Sequence, residues 1–69
     1  MLSIIELRFL SLNERAQYVW DNGRFITSKV GGIYRINLYW LRSYYVEVVY
    51  NSLSNQIVDV IPKQGFHYN

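Results

Sequence analysis

Ile33-Tyr34-Arg35-Ile36-Asn37-Leu38-Tyr39-Trp40-Leu41 and, after Arg42-Ser43, Tyr44-Tyr45-Val46-Glu47-Val48-Val49-Tyr50-Asn51 decide the fold. Both runs are rich in β-branched and aromatic residues and alternate in polarity with period two, which is the signature of strands. Outward from this pair, Arg24 to Val30 reads as a preceding strand, with Gly31-Gly32 supplying the positive φ of a hairpin turn. Downstream, Ser52-Leu53-Ser54-Asn55 is a polar turn, and Gln56 to Ile61 forms a fourth strand that Pro62 ends. Residues 63–69 read as an irregular tail of a single domain spanning 1–69.

Upstream of the strands the period changes. Ser3 with Glu6 and Ser11 with Glu14 each have the spacing in which serine and glutamate satisfy one another's backbone donors at a helix start. Leu12, Ala16, Val19 and Trp20 then fall at helical spacing, and Gly23 offers a left-handed stop, so the main helix is expected over about 12–22. Ile5 and Phe9 extend the same stripe backwards, but Ile-Glu-Leu-Arg-Phe also alternates, so residues 3–9 read either as a short helical turn or as a strand. The predicted class is α+β: an N-terminal helix packed on one face of a four-stranded antiparallel meander.

Register follows from keeping Glu47 out of the core. If Tyr34, Ile36, Leu38 and Trp40 are the buried set of the second strand, a two-residue turn at Arg42-Ser43 sets Leu38 against Glu47 and buries a carboxylate at high cost. A three-residue loop, Arg42-Ser43-Tyr44, instead pairs Trp40 with Val46, Leu38 with Val48 and Ile36 with Tyr50. The same parity turns Val58 and Val60 inward, sets Glu47 across from Ile61, and pairs Phe25 with Leu38 and Thr27 with Ile36. The other face then carries Ile26, Tyr39, Leu41, Tyr45, Val49, Ile57 and Ile61 among Arg35, Asn37, Glu47 and Asp59. One eleven-residue helix spans only ~16 Å and covers a single face, so this second apolar face marks an interaction surface. The expected anchors of a homodimer are Tyr39, Tyr45, Val49 and Ile61, through the face or an edge strand, with an unidentified protein partner the other occupant. The plainer reading is that β-branched residues stand there for strand propensity while the tail folds back over them.

Composition bounds the rest. The 69 residues are 51% hydrophobic and 17% aromatic, which opposes disorder, and they contain no cysteine, which excludes disulfide and thiolate-metal staples. Burial worth about 100 kcal/mol is offset by an ordering cost of about 100 kcal/mol, so further stability comes from close packing or from a partner. The net charge of +2 comes from singly scattered cations rather than a basic run, so nucleic acid is not the expected ligand. No apolar segment is long enough to span a bilayer, and Glu6 and Arg8 interrupt the apolar start before it resembles a signal core; a cytoplasmic protein is expected.

Catalytic constellations are sparse. His67 in the tail stands alone, too few ligands surround it for zinc, and Gly31-Gly32 lacks a phosphate-loop pattern. Glu47 and Asp59 imitate a carboxylate pair but are better read as solvated or ion-paired strand residues. The expectation is therefore a nonenzymatic module without cofactor, metal or catalytic residue. Two alternatives remain. Tyr39 and Tyr45 near Arg35 or Arg42 suit a single-stranded nucleic-acid platform. The helix, strands and Lys63-Gln-Gly-Phe-His67-Tyr tail loosely resemble small ribosome-dependent RNA-cleaving toxins, although that family has two substantial helices and a basic catalytic cluster; there Lys63 and His67 would be the participants. Glu14 through Phe25, followed by Leu38-Tyr39-Trp40-Leu41 and Tyr44 through Asn51, resembles short uncharacterised bacterial proteins, many from gut-type bacteria. That resemblance spans most of residues 10–61 and implies a helix-plus-meander domain with no assigned activity.

Overall fold

Two capping boxes start two helices in the computed structural model, which describes residues 1–64. Ser3 Oγ accepts the Glu6 N–H at 3.1 Å while the Ser3 N–H donates to Glu6 Oε1 at 2.9 Å, opening α1 (Ile4–Arg8). Ser11 and Glu14 repeat the exchange at 3.2 and 2.9 Å and open α2 (Leu12–Asn22). The ambiguous N-terminal segment is thus helical: a local cap satisfies its backbone where no strand is adjacent to do so. Its buried side is Leu7, with Ile4 and Leu10 half-buried, whereas Ile5 and Phe9 are exposed. In α2, Ala16 and Val19 are fully buried and Leu12 joins them, but Trp20 stays exposed at its rim.

Gly23 ends α2 differently from expectation. It is extended (φ −92°, ψ 158°), not left-handed, and its N–H donates to the Val19 carbonyl at 2.7 Å. The reason for glycine is crowding: a Cβ there would lie 2.7 Å from the Val19 oxygen and 2.9 Å from Leu41 Cδ1.

Four antiparallel strands follow in the order β1 (Arg24–Gly31), β2 (Tyr34–Trp40), β3 (Tyr44–Asn51) and β4 (Ile57–Gln64). The α+β class and the meander are as expected. Pro62 lies within β4 rather than ending it, and the strand continues to Gln64. A proline is tolerated because β4 is an edge strand, where one N–H has no ladder partner to serve.

The register of β2 departs from the expected one. Arg42-Ser43 is a two-residue turn: the Leu41 N–H donates to the Tyr44 carbonyl at 2.9 Å, and Leu38 pairs with Glu47, Tyr39 with Val46 and Trp40 with Tyr45. Glu47 nonetheless avoids the helix-side core, because Leu38, although buried, lies on the other face of the sheet. The helix-side core holds Leu7, Ala16, Val19, Leu41, Tyr44, Val46, Val48 and Val60, flanked by Tyr39, Tyr50 and Ile57. β2 therefore turns Arg35, Asn37 and Tyr39 toward the helix side, and Tyr34, Ile36, Leu38 and Trp40 lie on the outer face. Closing the turn at two residues brings Leu41 and Tyr44, 0% and 3% exposed, together beneath the helices, which a three-residue loop would not do.

Two bulges complete the correction. The β1–β2 turn is Gly32-Ile33, with Gly32 at φ +59°, and the register shifts between Phe25 and Thr27. Thr27 consequently pairs with Leu38 on the outer face, while Phe25 stays on the helix side, as expected, but opposite Tyr39 rather than Leu38, with their rings edge to face at 5.8 Å. A second shift between Val49 and Tyr50 releases Val58, leaving it exposed, and turns Ile57 inward.

Candidate functional site on the outer sheet face

The outer face is built from rows that cross all four strands. One row is Arg24, Trp40, Tyr45 and Lys63; the next is Thr27, Leu38, Glu47 and Ile61; the third is Lys29, Ile36, Val49 and Asp59. Trp40 and Tyr45 pack ring against ring with centroids 4.8 Å apart, a contact that the three-residue loop of the expected register, which set Trp40 against Val46, would not have formed. Leu38 is only 5% exposed although it stands outside the helix-side core. The apolar centre of this face is thus Ile36, Leu38, Trp40, Tyr45, Val49 and Ile61, with the cations Arg24, Lys29 and Lys63 toward its two lateral margins.

Of the four expected anchors, Tyr45, Val49 and Ile61 share this face. Tyr39 lies on the opposite one, against the helix-side core, where burial first, then the neighbouring Tyr50, raise its hydroxyl pKa. The residues missed were Ile36, Leu38 and Trp40. Their alternation was visible, but alternation names a set and not the side on which that set lies.

The charged groups are distributed rather than convergent. Glu47 pairs with Lys63 Nζ at 3.4 Å across the β3–β4 ladder, and it does lie opposite Ile61 as expected. Asp59 approaches Arg15 of α2 at 3.8 Å and accepts the Val60 N–H at 2.8 Å. The two carboxylates therefore each have their own cation. Arg35, expected outside, lies on the helix side with its guanidinium 5.1 Å from the Tyr50 ring centre. Lys63 is engaged with Glu47, and His67 lies outside the described residues.

Two shallow clefts flank the sheet. One of 350 Å³ is lined by Ser3, Ile4, Ile5, Ser43, Tyr44 and Gln64. The other, of 450 Å³, has Asp21, Asn22, Gly23, Arg24, Trp40 and Arg42 in its wall. Among the described residues that line them there is no histidine. Among the described residues, no three histidine or carboxylate side chains gather as a metal site, and no helix is long and apolar enough to cross a membrane. No protein-family model, curated protein or solved structure matches the chain.

Proposed function

We propose that the protein is a nonenzymatic interaction module that forms a homodimer by packing the outer sheet face of one copy on that of another. The observation carrying this reading is that Ile36, Leu38, Trp40, Val49 and Ile61 lie together on the side of the sheet away from the helix-side core. Strands about 4.8 Å apart and about 23 Å long give a face of roughly 450 Å² in projection. Two copies then bury on the order of 1,000 Å², the lower bound of a specific interface, with Trp40 as the aromatic anchor. Aligned packing of two sheets is the ordinary solution for such faces.

Edges support face-to-face association by being poor alternatives. β1 carries the bulge at Ile26 and the cations Arg24 and Lys29, which repel their copies in a symmetric pairing. β4 carries its own bulge and Pro62. These are devices that blunt strand edges against self-pairing.

Light scattering at high micromolar concentration tests the reading. The expected mass is that of a dimer, and Trp40→Asp or Ile36→Lys shifts it to the monomer; a wild-type protein that is monomeric throughout overturns it.

A further inference from the structure

β1 presents a feature that the dimer reading does not use. All eight of its residues, Arg24 to Gly31, are exposed, and it forms one edge of the sheet, so a row of backbone donors and acceptors faces away from β2. Among the described residues, no other element hydrogen-bonds that row. Charge along this part of the chain has one sign. Between Asp21 and Glu47 there is no acidic residue, while Arg24, Lys29, Arg35 and Arg42 are all cations.

The bulge organises those cations. Arg24 and Lys29 are separated by an odd number of positions and would point to opposite faces of an unbroken strand. The extra residue at Ile26 resets the alternation, so Arg24 stands beside Trp40 and Lys29 beside Ile36, both on the outer face. They are thereby four β2 positions apart, about 13 Å along the strand. Re-aiming a side chain is what bulges near binding sites commonly do. Neither cation has an ion pair to a described residue. On the other side of β1, Phe25 and Val30 are exposed, at 52% and 74%.

We infer that the β1 edge is a docking site for an extended acidic strand of a partner protein, added to the sheet by backbone pairing along Thr27–Gly31. Arg24 and Lys29 receive its carboxylates on the outer face, and Phe25 and Val30 receive its apolar side chains on the other. Backbone bonds supply affinity and the alternating side chains supply selectivity. The same cations that keep β1 from pairing with its own copy choose an oppositely charged strand. A nucleic-acid strand fits less well: two cations release few counterions, and the Trp40 ring beside Arg24 is already packed on Tyr45.

The test uses the full chain and a fluorescent heptapeptide of alternating valine and glutamate. Saturable binding in anisotropy, weaker in added salt, is expected, with amide shift changes concentrated at residues 24–31. Arg24→Glu combined with Lys29→Glu should weaken that binding at least tenfold while leaving the thermal melt unchanged, and should create binding to a second heptapeptide in which lysine replaces each glutamate. Methylating alternate peptide nitrogens should also cost at least tenfold. Absence of binding at millimolar peptide, equal binding of the methylated peptide, shifts centred elsewhere, or tighter binding of an eight-residue oligothymidylate at β1 would each overturn the proposal. Binding that persists in the Trp40→Asp monomer separates this site from the dimer face.

Discussion

Leu38 of β2 lies directly across from Glu47 of β3, on the outer side of the sheet, and the carboxylate turns diagonally to Lys63 of β4 at 3.4 Å. The lysine side chain is 37% exposed and the glutamate 17%, so solvent screens the pair and its contribution is modest. A double-mutant cycle on Glu47→Gln and Lys63→Met, read by urea denaturation, should give a coupling of about 0.5 kcal/mol. A coupling of several kcal/mol would mean that Glu47 is desolvated as a core residue would be.

Gly23 is required for space rather than for a left-handed backbone. Gly23→Ala forces its methyl group against the Val19 carbonyl and Leu41, and the carbonyl cannot move without disturbing the last turn of α2. The expected loss is about 2 kcal/mol in chemical denaturation. A loss below about 0.5 kcal/mol would show that the helix end and the β2–β3 turn yield easily.

Arg42 has φ +66°, and the Ser43 N–H donates to the Leu41 carbonyl at 2.7 Å, so Arg42 is the centre of a tight three-residue turn with positive φ. Side chains are strained there and glycine is not. Arg42→Gly should therefore stabilise the fold by about 1 kcal/mol, the relief of strain exceeding the added freedom of the unfolded chain. A lower melting temperature in this variant would contradict the turn geometry.

Stability should be flat near neutral pH and fall at both extremes, for different groups. The Leu2 N–H donates to the Tyr18 hydroxyl at 2.6 Å, and the Tyr44 hydroxyl donates to the Leu2 carbonyl at 2.7 Å. Burial, then the nearby Tyr18 and Glu6, raise the Tyr44 pKa, and burial likewise raises that of Tyr39. Because the folded values are raised, their stabilisation is complete below the ordinary phenol value of about 10 and is lost as pH climbs through the folded values. Glu6 and Glu14 titrate in the opposite sense. Hydrogen bonds from the cap backbone, then from the cap serines, lower their pKa, so their contribution is present above the ordinary carboxylate range and disappears as pH falls through the folded values. Tyr44→Phe should cost about 1 kcal/mol at pH 7 and flatten the alkaline limb of a melting-temperature series; an unchanged limb would assign it to other groups.

How far the chain could be read without coordinates depends on the range of the interaction concerned. Ser11, Glu14 and the apolar spacing of Leu12, Ala16 and Val19 identify α2 at its observed bounds, because a capping box closes within four residues. Tyr44 to Asn51 is legible for the same reason, bounded by turn residues and alternating with period two. Trp20 and Phe9 were misjudged because helical spacing identifies a stripe, while the stripe actually buried depends on how each helix is rotated against β4. The candidate anchors divide likewise: Tyr45, Val49 and Ile61 belong to strands whose face was assigned correctly, and Tyr39 to the one that was reversed.

The amino-acid sequence by itself determined the order of α2 and the four strands, the start of α2 and each turn to within a residue, since caps, glycines and alternation act between near neighbours. Only the tertiary structure decided which side of β2 meets the helices and where the two bulges fall. That strand's own pattern, with Tyr34, Ile36, Leu38 and Trp40 on one side and Arg35 and Asn37 on the other, pointed to the orientation that the structure reverses. The choice was made by joint burial of Leu41 and Tyr44 under helices distant in the chain, a cooperative gain that no short window of sequence contains.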